Sequence, residues 1–239
     1  MRDKTIKNLD QLLEMLDSQF RPSNQFWDPF YSDRQRPVPF FKLKPDENLA
    51  SYIERGVIRK GKAMELGCGP GRNAIYLSRN GFVVDAYDIS DVAIKWARER
   101  ADEAGLDINF KCQSVFDLKP YLEYDFIYDS GCMHGILPHR RIQYIEMIFN
   151  GLKPNGYFGI TCFASGYGEI GGPQFEMTDW DVYEEKTTKG GLAFTEEKIR
   201  YLLEDYFECI ELRQMNVMDE QDKFFGVPFL WTSLWKKKA

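Results

Sequence analysis

The stretch Ala63-Met64-Glu65-Leu66-Gly67-Cys68-Gly69-Pro70-Gly71-Arg72-Asn73 limits what this chain can fold into more than any other. An apolar strand ends at an acidic residue, passes through a loop with glycine at every second position, and enters a helix. Glycine admits left-handed backbone and leaves no Cβ between the chain and a ligand. Seventeen residues after Gly71, a second apolar strand, Phe82-Val83-Val84-Asp85-Ala86-Tyr87-Asp88, ends in another carboxylate. At the tip of a neighbouring strand such a group is placed to accept hydrogen bonds from a ribose diol. The pattern predicts a parallel α/β sheet that holds a nucleoside cofactor across its strand ends.

The rest of the chain fits that frame. Apolar runs and helical periodicity alternate as strand 62–67, helix 71–80, strand 82–87, helix 90–104, strand 107–112, strand 124–129, helix 138–150 and strand 156–163. Strands separated by helices imply right-handed parallel crossovers. Ahead of this core, residues 4–19 carry leucines at helical spacing. Residues 20–45 are aromatic and rich in proline, which predicts irregular chain. Asp46 is placed to cap a helix over 47–55. After the core, residues 164–194 hold glycines without periodicity and read as a long loop. A helix capped by Thr195 follows, and two β-rich segments, 207–217 and 227–235, look like an antiparallel hairpin. The expectation is one domain over 1–239, with an N-terminal helical and aromatic extension (1–58), a cofactor core (60–163), a substrate-side loop (164–194) and a closing helix and hairpin (195–239).

Two cofactors compete for the loop. Gly69-x-Gly71-x-x-Ala74, with Asp88 downstream, fits a dinucleotide fingerprint. The fuller string Glu65-x-Gly67-x-Gly69-x-Gly71 carries a carboxylate that would repel a diphosphate and suits a ligand bearing an ammonium and a sulfonium. Here the chain resembles the class I S-adenosylmethionine-dependent methyltransferases, whose first motif is similar to Glu65 through Gly71. The resemblance is strong from about Lys62 to Cys162. It implies a Rossmann-like three-layer α/β sandwich, with a seven-stranded, mostly parallel sheet ending in an antiparallel hairpin, and an N-terminal helical and aromatic lid. The strings DSGCMHGILPHRR and WDPFYSDRQRPVPFF look closest to the small-molecule members that act on thiols, thiopurines or tellurite.

Ligands in such sheets sit at the carboxyl ends of the strands. That collects Glu65, Gly67, Cys68, Gly69, Gly71 and Asn73 from the first loop, Asp88 for the ribose and Ile89 for the adenine face. It adds Ser114 and Val115 after the third strand, and Asp129 and Ser130 after the fourth. Where the family often has Gly-Asp after the third strand, this chain has Gln113-Ser114, so backbone groups around Val115 are expected at the adenine edge. The family resemblance turns the segment 129–134 toward the methyl group. His134 is then a candidate base or loop organiser, with Asp129 beside it, while His139 is read as structural and Cys132 as a small buried residue. Trp27 and Tyr31 are candidates for a lid over the sulfonium by cation–π contact. Trp180 and Tyr183 are candidates for the acceptor wall.

A formal charge of −6 argues against a nucleic-acid backbone as main partner. Five cysteines with no C-x-x-C pair fit reduced thiols rather than a disulfide frame or a metal site. The N-terminus, Met1-Arg2-Asp3-Lys4, lacks a signal peptide's apolar core, and no apolar run is long enough to cross a bilayer. The expectation is a cytoplasmic monomer or homodimer that methylates a small molecule, uses S-adenosylmethionine, releases S-adenosylhomocysteine and needs no metal. A non-catalytic sensor of that cofactor and a nicotinamide-dependent oxidoreductase are the alternatives.

Overall fold

Burial on both faces turns the apolar runs of the core into the interior strands of one sheet. The computed structural model describes residues 5–173 and 176–239; the N-terminal segment 1–4 and part of the 164–194 loop lie outside them. Seven strands form the sheet: β1 (Lys62–Leu66), β2 (Val83–Asp88), β3 (Asn109–Cys112), β4 (Tyr124–Ser130), β5 (Leu152–Phe163), β6 (Phe207–Gln214) and β7 (Leu230–Lys237). Their order is β3-β2-β1-β4-β5-β7-β6. The first five run parallel, and β7 inserts antiparallel between β5 and β6. The expected fold class and terminal hairpin are therefore present. The order reverses between β1 and β4, which opens the crevice where ligands bind in such sheets.

Eight α-helices accompany the strands among the described residues: α1 (Leu9–Asp17), α2 (Asn24–Ser32), α3 (Glu47–Glu54), α4 (Arg72–Arg79), α5 (Asp91–Glu103), α6 (Arg141–Gly151), α7 (Asp179–Glu185) and α8 (Glu196–Leu203). Ser90 and Thr195 cap α5 and α8 as expected, accepting from the backbone N–H of Ala93 and Lys198 at 3.1 Å each.

Three local expectations are corrected. The proline-rich stretch contains a helix, α2, with Pro29 inside it. Pro29 has no N–H for the Gln25 carbonyl, and the Arg21 guanidinium donates to that carbonyl instead at 2.5 Å. The 164–194 segment is not wholly loop, because Thr178 and Asp181 build a capping box that starts α7. Asp46 stands at the start of α3, yet its carboxylate makes no cap there; it turns inward to Arg72.

Candidate functional site

The loop between β1 and α4 sets the site. Gly67, Gly69 and Gly71 have φ of 64°, 51° and 79°, left-handed backbone that costs residues with a Cβ. At Gly69 a Cβ would stand 2.9 Å from the Tyr31 hydroxyl; at Gly71 it would stand 3.0 Å from the Phe110 ring and 3.1 Å from Ala97. Gly69 leaves room for the Tyr31 hydroxyl of α2 against the loop, and Gly71 lets α4 seat against β3 and α5.

Around this loop opens a cavity of about 600 Å³, within the roughly 300–1,000 Å³ usual for small-molecule sites. Of the residues singled out from sequence, Trp27, Tyr31, Glu65, Gly67, Cys68, Gly69, Asn73, Asp88, Ile89, Ser114, Val115, Ser130 and His134 all line it. Gly71 and Asp129 do not. Gly71 acts through packing, as above. Asp129 is fully buried and spent on its own loop: it accepts from the backbone N–H of Cys132 (2.6 Å) and Met133 (2.9 Å) and from the Tyr144 hydroxyl (2.8 Å). Burial pushes its carboxyl up to about 7 against those donors. Its place is that of a loop organiser, away from the reacting groups.

Two carboxylates do face the cavity. Asp88 accepts from the backbone N–H of Gly69 and of Ser90, at 2.8 Å each. Burial lifts its carboxyl to about 6, and the two backbone donors pull it back. Each carboxylate oxygen offers more than one acceptor site, so capacity remains for a diol. Glu65 is buried, and burial pushes its carboxyl up to about 8 against the attraction of Arg72. Its Oε2 has no hydrogen-bond partner among the described residues. A buried, unpaired carboxylate oxygen is costly, and a ligand ammonium would relieve it. The half-exposed Ile89 offers an apolar platform beside Asp88. Ser114 spends its hydroxyl on the Phe116 N–H at 3.3 Å, which leaves backbone groups to read an adenine edge. The donor set thus fits S-adenosylmethionine: an acceptor for its ammonium, a carboxylate for its ribose and a flat apolar face for its base.

His134, read as a candidate base or loop organiser, lies on the cavity wall with a buried Nδ1 that has no hydrogen-bond partner among the described residues. Its ring lies parallel to Phe163, with centroids 3.9 Å apart and planes at 15°. Burial pushes its pKa down to about 3, which favours the neutral ring. His139 is structural, bridging Tyr183 (2.9 Å) and Asp17 (2.8 Å). Tyr183 is thereby committed to His139, and Trp180 is 80% exposed; neither lines the cavity. The 164–194 segment contributes Gly171 and Gly190 instead.

Sequence reading missed the polar network beneath the site. Arg72, the first residue of α4, pairs with Asp46 at 2.6 Å, donates to Ser130 Oγ at 2.9 Å and to the Lys44 carbonyl at 3.0 Å, and lies over the Phe225 ring at 4.7 Å. Asp46 also accepts from Asn73 (3.0 Å), Tyr128 (2.8 Å) and Ser130 (2.6 Å). It missed Phe163, Phe225 and Phe229 on the cavity wall as well. The one available signal was Phe163, the last residue of a strand whose carboxyl end faces the crevice.

Comparison with known proteins agrees with this geometry. Residues 63–156 match the family model described as a methyltransferase domain. The chain is 26% identical over 160 residues to a carboxy-S-adenosyl-L-methionine synthase of Campylobacter concisus, covering 66% of this chain and 65% of that protein. It is 35% identical over 128 residues to a ubiquinone biosynthesis O-methyltransferase of Coxiella burnetii, covering 49% and 52%. The match thus spans about half to two thirds of the length of these curated relatives. In fold the chain is similar to the 1,6-didemethyltoxoflavin-N1-methyltransferase of Burkholderia thailandensis, solved with 1,6-didemethyltoxoflavin and S-adenosylhomocysteine, with a TM-score of 0.62 at 19% identity over 99% of this chain and 93% of that one.

Proposed function

We propose that the protein is a class I methyltransferase that moves a methyl group from S-adenosylmethionine to a small-molecule acceptor, a reading supported by the match of residues 63–156 to the methyltransferase-domain family. The observation that carries the reading is the unpaired Glu65 Oε2 on the wall of a cavity that also presents Asp88 and the glycine loop. Glu65 offers a diphosphate no positive charge, and its ionised form would repel one, which weighs against a nicotinamide dinucleotide.

Glu65 receives the cofactor's ammonium, Asp88 the ribose hydroxyls, Ile89 the adenine face, and backbone near Val115 the adenine edge. When bound, the cofactor supplies a methyl group on a positively charged sulfur, open to in-line attack. The protein's contribution is placement and exclusion of water. Aligning two reactants is worth effective molarities of roughly 10⁵–10⁸ M in favourable cases, and a dry site removes the nucleophile's hydration shell. Trp27 and Tyr31, stacked with centroids 5.7 Å apart, cover the glycine loop as a lid. Asp129 is engaged by its own loop, whereas His134 lines the cavity with a buried Nδ1 that no described residue partners, and it stands as the group to receive a proton from the acceptor.

Calorimetric titration with S-adenosylmethionine, S-adenosylhomocysteine and reduced nicotinamide dinucleotide tests the reading. The two sulfur nucleosides are expected to bind, with affinity lost in Asp88→Ala. Heat from the dinucleotide alone would overturn it, and binding without turnover over a broad acceptor panel would make the protein a sensor.

A further inference from the structure

The cavity has two ends of different chemistry. The cofactor end carries Glu65, Asp88 and the glycine loop. The other end, beneath the carboxyl end of β5 and the start of β7, is walled by His134, Ile136, Phe163, Phe225, Phe229 and Leu230. The rings there are held in place. His134 and Phe163 form a parallel pair, and Phe229 stands 6.4 Å from Phe163 at a 36° tilt. A Cβ on Gly171 would lie 2.7 Å from the Phe229 ring, and one on Gly191 would lie 2.8 Å from the Phe163 ring. Bare backbone is therefore packed against ring edges, which fixes how those rings face the cavity.

This end offers no charge to an acceptor. Among the described residues that line the cavity, Arg72 is the one Lys or Arg. Its guanidinium is engaged by Asp46, Ser130 and the Lys44 carbonyl, and the Phe225 ring covers it. His134 is neutral. An anionic acceptor would be buried here with no counter-ion from the protein, in a cavity that also holds the acidic side chains Glu65 and Asp88, at heavy cost. A flat ring would stack offset or edge-on against the four aromatic walls.

We infer that the methyl acceptor is a neutral, planar aromatic molecule, seated with its ring among Phe163, Phe225 and Phe229 and its nucleophilic atom turned toward the β1 and β4 strand ends. The inference rests on the methyl-transfer reading for the word acceptor, but the chemistry of the pocket end stands apart from it. It excludes oxyanions such as tellurite as preferred acceptors.

The test is equilibrium binding, by calorimetry, to the protein saturated with S-adenosylhomocysteine. The probes are naphthol, its carboxylated analogue hydroxynaphthoate, its saturated analogue decahydronaphthol, and tellurite. Naphthol is expected to bind about tenfold or more tightly than each of the others. Phe229→Ala should weaken naphthol severalfold while leaving S-adenosylhomocysteine affinity unchanged; Phe163→Leu serves if that variant fails to fold. Equal or tighter binding of hydroxynaphthoate, tellurite or decahydronaphthol would overturn the inference, as would no binding of naphthol. If S-adenosylhomocysteine itself does not bind, the cofactor reading fails. The same probe series on the protein alone then still decides the chemistry of this end.

Discussion

Glu65 holds a buried acceptor oxygen that no donor among the described residues reaches. Burial pushes its pKa to about 8 while Arg72 pulls the other way, so the protonated acid is favoured in the empty site as pH falls below that value. An ammonium ligand binds the carboxylate form, and binding near pH 7 must release the Glu65 proton. The sign follows: affinity for S-adenosylhomocysteine should rise between pH 6 and 7.5, by at most one order of magnitude per pH unit, while the ligand's amino group stays protonated. Titrations in buffers of different ionisation enthalpy should count about one proton released near pH 7. In Glu65→Gln the proton release should vanish and the pH slope flatten. A flat profile in the native protein would remove Glu65 from the ammonium site. The stability of the ligand-free protein should move in the opposite sense. Glu65, Asp88 and Asp129 have raised carboxyl pKa values and hold protons more firmly when folded, while His134, lowered from 6.5, works the other way at more acid pH. Above about pH 6.5 the raised carboxyls dominate, and stability falls as pH rises toward 8, measurable as a falling Tm.

At the scale of elements, α2 does two jobs with one aromatic face. It packs against α5, where Ser90 Oγ donates to Asp28 at 2.6 Å, with Phe41 of the following segment set between Tyr31 and Trp96, and it presents Trp27 and Tyr31 to the cavity. Trp27 is only half-buried, so Trp27→Ala should cost little stability. A lost cation–π contact of about 0.5–2 kcal/mol should lower kcat/KM by roughly two- to thirtyfold. Unchanged kinetics in a folded variant would reduce the lid to packing. The glycine loop and the two strand-tip carboxylates were legible in sequence because their geometry is local. A helix such as α2 was not, since Pro29 reads as a breaker and the Arg21 side chain that serves the freed Gln25 carbonyl leaves no periodicity to mark it. The acceptor wall was hidden for a similar reason. Phe163, Phe225 and Phe229 come from two separated segments, and neither shows a period that marks a ring as facing a cavity rather than the core.

At the scale of the whole molecule, three separate pieces of chain meet at Arg72. Lys44 and Asp46 belong to the root of the N-terminal extension, Ser130 to the tip of β4, and Phe225 to the β6–β7 connection, which pairs with the Asp46 segment through backbone bonds of 2.8 and 2.9 Å. Both charges of the Arg72–Asp46 pair are buried. Such a pair is weak evidence for net stability, but removing one partner leaves the other uncompensated, at about 3–5 kcal/mol. Arg72→Met should therefore lower the unfolding free energy by that amount in urea, while Met at the exposed Arg59 should stay within about 0.5 kcal/mol. A second readout separates a positioning role from a merely structural one. Arg72 is the charge that holds the Glu65 pKa down, so its loss should move the rise of cofactor affinity with pH toward higher pH. A variant that is destabilised but keeps the native pH profile would mean that Arg72 joins these segments without setting the charge on Glu65. A shifted profile would mean that the junction holding the lid to the sheet also tunes the cofactor site.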